Sequence, residues 1–242
     1  MHIVKGKRAV MEALQASVPV DRLVVAQGFD KKPDIQTLLK IAGSRRISIE
    51  TLSMNAFERV ASDSHHQGIM AYVHEKQQVT LDALLETPEE YPMVIVLDHL
   101  EDPYNFGAIL RTCDAFGLKA VLYPKDRNSQ ISPGVIKASS GAVYHLDLIK
   151  VVNVAQTIQK LKTAGYWIYG TDVQKGVALH DFKPVFPLAL VVGNESSGQS
   201  RLVSKLVDAN LHIPMHGQLA SLNVSVATGI LAYTISQAYA RL

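Results

Sequence analysis

The chain has 242 residues, 48% hydrophobic and 19% charged, with a formal net charge of +2, a composition that fits a globular protein and not a disordered or fibrous one. Its length allows one large domain or two small ones around a sizeable core. No apolar stretch approaches the roughly 18–20 residues that cross a bilayer, and the start MHIVKGKRAV lacks the apolar core of a secretory signal. The single cysteine, Cys113, excludes an internal disulfide and a cysteine-based zinc site; the expected compartment is the cytoplasm.

Residues 1–74 carry 10 Lys+Arg against 7 Asp+Glu, whereas residues 75–242 carry 14 against 15. The positive excess therefore lies in the first third, in Lys5, Lys7, Arg8, Lys31, Lys32, Arg45 and Arg46. Such a distribution suits a polyanionic partner, and it equally suits an ordinary solvated surface.

Along the chain, GKRAVMEALQA has helical spacing, with Val10, Ala13 and Leu14 on one face. DRLVVAQG reads as a strand ended by Gly28, DIQTLLKIAG as a helix closed by Gly43, ISIETL as a strand, MNAFERVA as a helix and QGIMAYV as a strand. This predicts a small α/β domain over residues 1–74. The polar stretch that follows, residues 75–92, reads as a linker with one short helix around Leu81 to Leu85. From Met93 to the end, the strands MVIVLD, KAVLYP, VYHLDLIKV, YWIYGTD, LALVVG and ANLHIPM alternate with amphipathic segments, including SRLVSKLV after Gly198. That alternation predicts a parallel sheet covered on both faces, with ligands at the carboxyl ends of its strands.

Three loops of that kind stand out. In the first, LDHLEDPYNFGAILRTCDAFG, Phe106, Ile109, Leu110, Cys113 and Phe116 form a buried stripe, and Gly117 closes the helix. Asn105 falls near the helix start, while Gly107, Arg111 and Asp114 share another face; an exposed arginine paired with Asp114 is the plain alternative. In the second, LALVVGNESSGQS, a glycine-flanked turn looks like a phosphate cradle, but it has no lysine and Glu195 sits in its middle. A neutral or cationic ligand suits such a turn better, and Glu195 as a simple helix-start carboxylate remains open. In the third, LHIPMHGQLASLNVSVATGILAY, Ser221 and Asn223 occupy capping positions, yet the loop is longer than a cap requires. His65 and His66 are adjacent, so their side chains diverge, and they read as loop residues that touch RNA if they have a role, not as metal ligands. No metal site is expected.

Taken in this order, Asn105 through Arg111 (NFGAILR), Gly193 through Gly198 (GNESSG) and Ile213 through Ala227 (IPM…SLNVSVA) resemble the three motifs of the SpoU/TrmH branch of the SPOUT methyltransferases. GKRAVMEAL and SHHQGIMAYV resemble the small ribosomal-protein-like substrate-binding domain found in bacterial ribosomal-RNA ribose methyltransferases, and the nearest group is the RlmB type, which modifies a guanosine of large-subunit RNA. The resemblance implies a C-terminal SPOUT domain, residues 93–242, whose end threads a deep trefoil knot, an exception to the general avoidance of threading. It implies S-adenosylmethionine as cofactor, held by backbone groups at Gly193, Ile213 and Leu222. It also implies a homodimer, with the last helix and the first-motif helix near the interface. The reaction would be in-line attack of a ribose 2′-hydroxyl on the sulfonium methyl. Arg111 would clamp the neighbouring phosphate and stabilise the forming alkoxide, since a guanidinium resists acting as a base. Asn105 would orient Arg111 or the ribose, Glu195 would position groups near the reaction, and Ser221 and Asn223 would shape the pocket. Lys5, Lys7 and Arg8 would bind ribosomal RNA, with transfer RNA as the alternative substrate. A Rossmann enzyme is disfavoured because GNESSG fails the G-x-G-x-x-G pattern; a non-catalytic RNA-binding protein of the same fold remains as a rival.

Overall fold

In a computed structural model, residues 2–15, 20–62, 66–73, 79–173 and 175–242 are described. The chain forms two compact units: residues 1–77 with 140–145, and residues 78–139 with 146–242.

The first unit is built from β1 (His2–Lys5), α1 (Lys7–Gln15), β2 (Val20–Ala26), α2 (Pro33–Ser44), β3 (Ser48–Leu52), α3 (Met54–Ala61) and β4 (Ile69–Val73). Its sheet runs β1-β4-β2-β3, with β4 antiparallel to both neighbours and β2 parallel to β3. Strand alternation sends Val24, Ala26 and Met70 to one face, where they meet Phe57 and Ala61 of α3. Val10, Ala13 and Leu14 of α1 are buried, as the helical spacing requires. The strand β1 lies outside the elements expected from pattern, and Gly43 falls inside α2 instead of closing it. His66 is 6% exposed, edge-on to Phe57 at 4.9 Å, and its Nδ1 accepts from the Gly68 N–H at 3.0 Å. It is a core residue, which corrects its reading as a loop contact to RNA; His65 lies outside the described residues. Residues 140–145 belong to this unit through Gly141, whose φ of +92° sits where a Cβ would overlap Glu12.

The second unit holds α4 (Leu81–Glu86), β5 (Met93–Leu97), α5 (Pro103–Ala115), β6 (Ala120–Pro124), α6 (Pro133–Ala138), β7 (Asp147–Val151), α7 (Val154–Thr163), β8 (Trp167–Thr171), β9 (Val177–Ala178), β10 (Leu188–Val192), β11 (Ala209–His212) and α8 (Val224–Tyr239). All its strands are parallel, in the order β7-β6-β5-β10-β8-β11-β9. The β5 and β10 strands are buried along their whole length, as a sheet covered on both faces demands. Val94, Val96, Ala189 and Val191 meet Ile158 and Leu161 of α7 and Leu84 of α4 on one face. On the other, Phe106 of α5 packs against Tyr123, the two rings tilted with centroids 5.4 Å apart.

Three expectations are revised. Residues 79–92 are not a free linker: Leu84 and Tyr91 are buried in the second unit's core, with Val79, Leu81 and Leu85 packed around them. SRLVSKLV makes only a short 3-10 turn at Val203–Lys205, within the connection that carries the chain past β8 from β10 to β11. In VYHLDLIKV the strand starts only at Asp147, after a 3-10 turn at Ala142–Tyr144. Among the described residues no helix is long and apolar enough to cross a membrane.

Candidate active site

Because the strands are parallel, the loops after β5, β10 and β11 leave the sheet at the same edge. The second and third of these, with the end of β8, line one cavity of about 500 Å³, within the usual range of roughly 300–1,000 Å³ for small-ligand sites. Gly193, Glu195, Ile213, Ser221 and Leu222 all line it.

The 193–200 loop is closed on itself. The Asn194 and Gly198 backbones exchange hydrogen bonds of 2.9 and 3.0 Å. The Asn194 Oδ1 accepts from the N–H groups of Ser196 and Ser197 at 3.0 and 3.2 Å, an Asx turn. A Cβ on Gly193 would lie 2.3 Å from the Gly198 carbonyl carbon, so only glycine lets the two arms of the turn close. This is a tight turn whose glycines serve backbone approach, not a phosphate cradle.

Helix capping carries the geometry of the other two loops. Asp102 caps α5, accepting from the N–H groups of Tyr104 and Asn105 at 3.1 Å each, with Pro103 preset at the first helical position. Asn223 caps α8, its Oδ1 accepting from Ser225 N at 2.9 Å and Val226 N at 3.4 Å. With its oxygen so committed, Asn223 turns its amide towards Asn105 and donates to Asn105 Oδ1 at 3.0 Å. Asn105 must then present its own amide on the far side, where it donates to Glu195 Oε1 at 3.0 Å. The cap on α8 thus fixes the direction of every bond in the chain Asn223–Asn105–Glu195. One residue from each of the three loops is held in it.

Arg111 is exposed on α5 and does not line the cavity. It lies seven positions after Tyr104, so the two share a helix face, and Tyr104 is 70% exposed. The end of β8, Thr171 to Val173, and Asn210 on β11 also line the cavity. Nothing in their local sequence marks them; they are adjacent because β8 lies between β10 and β11. Among its described lining residues the cavity has two carboxylates, Asp172 and Glu195, and no lysine or arginine. Its polar and apolar walls, with that charge balance, suit a small amphipathic ligand carrying positive charge.

In the first unit, Lys7 pairs with Asp34, and that hydrogen bond holds the Asp34 carboxyl below its ordinary range. Lys5 Nζ donates to the Ala61 carbonyl, and Arg8 is exposed.

Two family models match the chain: the SpoU rRNA methylase family over residues 92–233, and the substrate-binding domain of RNA 2′-O ribose methyltransferases over residues 3–79. A protein of Staphylococcus saprophyticus, assigned to the TrmH family of tRNA/rRNA methyltransferases, is 36% identical over 236 residues, covering 96% of this chain and 94% of its own. A TrmH-family protein from Porphyromonas gingivalis superposes with a TM-score of 0.77 at 27% identity, covering 96% of this chain and 88% of that one. The SpoU methyltransferase AviRb of Streptomyces viridochromogenes, solved in complex with S-adenosylmethionine, shares the fold at a TM-score of 0.78 and 23% identity, over 98% of this chain and 90% of its own. With three motif loops joined at one cavity on a parallel sheet, and with relatives matched along nearly its whole length, this chain belongs to the SpoU/TrmH family of RNA methyltransferases.

Proposed function

We propose that the protein transfers a methyl group from S-adenosylmethionine to the ribose 2′-hydroxyl of a guanosine in 23S ribosomal RNA, as the RlmB type does, and that it works in the cytoplasm. The observation that carries this reading is the Asn223–Asn105–Glu195 chain, which joins all three loops at the rim of a cavity whose described lining residues include two carboxylates and no lysine or arginine. When bound, S-adenosylmethionine supplies an electrophilic methyl on a cationic sulfur. The backbone at Gly193, Ile213 and Leu222 holds it, and Asp172 and Glu195 favour its positive charge. Ser221 shapes the cavity wall, and Asn105, oriented by Asn223, positions the ribose. The closing of the two C-terminal loops on one cavity is also the setting in which the family's trefoil knot forms.

Arg111 acts across a homodimer in this reading. On α8, Val226, Ile230 and Tyr233 are 50%, 38% and 52% exposed and recur at helical spacing as an apolar stripe. Beside it, α5 presents Tyr104 and Arg111 on one face. A second copy seated on this surface would receive Arg111 at its own cavity. There the guanidinium clamps the phosphate next to the target ribose and stabilises the alkoxide as its proton leaves. Residues 1–74 bind the RNA through Lys5, Lys7 and Arg8, with the target base unstacked from its loop.

Transfer RNA is the second reading, because the curated relatives are assigned to both tRNA and rRNA. Ribose methylation mapped across both RNAs in a strain lacking the protein separates them, with wild-type and Arg111→Ala copies restored. The expected result is one 23S guanosine that loses its mark in the null strain and in Arg111→Ala, and regains it with the wild type. A mark lost from transfer RNA selects the second reading, and no lost ribose mark overturns both.

A further inference from the structure

The first and second loops are also tied together through Asp98 and His99, neither of which lines the cavity. β5 ends at Leu97, and the next N–H, that of Asp98, still donates to the Val192 carbonyl at the end of β10, at 2.8 Å. The Asp98 side chain is 0% exposed, and both its oxygens are engaged. Oδ2 accepts from the Ser200 N–H at 2.7 Å, and Oδ1 lies 2.6 Å from His99 Nδ1. A carboxylate only accepts, so the ring proton of His99 sits on Nδ1.

His99 itself is held at a φ of +65°, in the left-handed region that non-glycine residues enter at a cost. In that conformation its carbonyl accepts from Asn194 Nδ2 at 2.9 Å. Asn194 and Ser200 stand at the two ends of the 193–200 loop, and Asn194 also gathers the N–H groups of Ser196 and Ser197. One two-residue corner therefore grips both ends of the loop. The corner is anchored in turn by Asn128, whose Oδ1 accepts from Leu100 N at 2.8 Å. Burying a carboxylate is unfavourable unless its hydrogen bonds are made, and backbone strain persists where the surroundings over-determine it. Both features meet at this corner, outside the cavity.

We propose that Asp98 is a positioning residue of the methyl-transfer site: with the His99 ring it holds the 193–200 loop in the form that binds the cofactor, so a group that never touches S-adenosylmethionine sets its affinity. The inference rests on the reading of the cavity as the cofactor site. The full-length protein and its Asp98→Ala and Asp98→Asn variants are compared by calorimetry with S-adenosylmethionine and, without cofactor, by hydrogen–deuterium exchange. Asparagine keeps an acceptor for Ser200 N–H and can donate to a His99 ring nitrogen. The expected result is a dissociation constant raised about tenfold in Asp98→Ala and held within about threefold in Asp98→Asn. The amides of Ser196 to Ser200 exchange faster in Asp98→Ala, while β10 stays protected. An unchanged dissociation constant, or protection lost evenly across the sheet, overturns the proposal. Should Asp98→Ala fail to fold, the near-isosteric Asp98→Leu, which cannot accept from the Ser200 N–H, takes its place: faster exchange confined to the loop supports the proposal, and wild-type exchange overturns it. A wild-type protein that binds no S-adenosylmethionine defeats the cofactor reading instead, while the exchange result still decides whether Asp98 braces the loop.

Discussion

Gly193 is glycine because the turn it opens has no room for a side chain. A Cβ there would press on the backbone of Gly198 and Gln199, at 2.3 and 2.5 Å, and backbone cannot step aside as a flexible side chain does. Gly193→Ala is therefore expected to open the turn and weaken S-adenosylmethionine binding by about tenfold or more, read by calorimetry, the effect of overpacking a close-fitted site. Glu195 illustrates a different limit of local reading. Its neighbours in sequence allow a helix-start carboxylate, yet no helix starts there, and its oxygen is taken by Asn105 from 90 residues away. The motif pointed to the residue, and the partner was settled by contacts far apart in the chain.

The α5 helix is where periodicity succeeds most fully. Phe106, Ile109, Leu110 and Cys113 are buried as the stripe requires, with Gly107, while Phe116, the fifth residue of the expected stripe, caps the helix end and is half-buried. Gly107 is the exception that packing explains: a Cβ would sit 2.4 Å from Ala138 Cβ and 2.9 Å from Ser139 N, so α5 and α6 touch nearly backbone to backbone. Gly107→Ala is expected to lower stability by about 1–3 kcal/mol in urea titration, despite alanine's better helix propensity. Gly229 of α8 supplies the contrast, since a Cβ there meets only Thr112 at 3.9 Å; Gly229→Ala should leave stability unchanged or raise it in the same titration. Short segments were less legible. SRLVSKLV has helical spacing, yet it forms only the 3-10 turn Val203–Lys205 in the crossing from β10 to β11.

Across the second unit, buried phenols mark how its core is tied. The Tyr91 hydroxyl donates to Asp147 Oδ2 at 3.0 Å, and the Tyr166 hydroxyl donates to the Tyr91 carbonyl at 3.0 Å. Burial, with Asp147 beside it, pushes the Tyr91 phenol from 10.0 up to about 12; burial raises Tyr123 and Tyr166 as well. A raised phenol pKa means that the folded state prefers the neutral form. The corresponding stability is complete below the unfolded value near 10 and is lost as pH rises towards 12. Melting temperature followed over that window should fall more steeply for the wild type than for Tyr91→Phe.

Hydrophobic alternation and spacing were enough to name most strands and helices, because each element must bury its own apolar face whatever surrounds it. The residues of the three loops were likewise legible as motifs. What could not be read along the chain is adjacency. The order β5-β10-β8-β11 brings Asn105, Glu195 and Asn223 into one hydrogen-bonded chain, adds Thr171 to Val173 to the cavity wall, and sets Asp98 against Ser200. Those contacts depend on which strands lie side by side, and strand order is a property of the whole sheet that no short stretch of residues encodes.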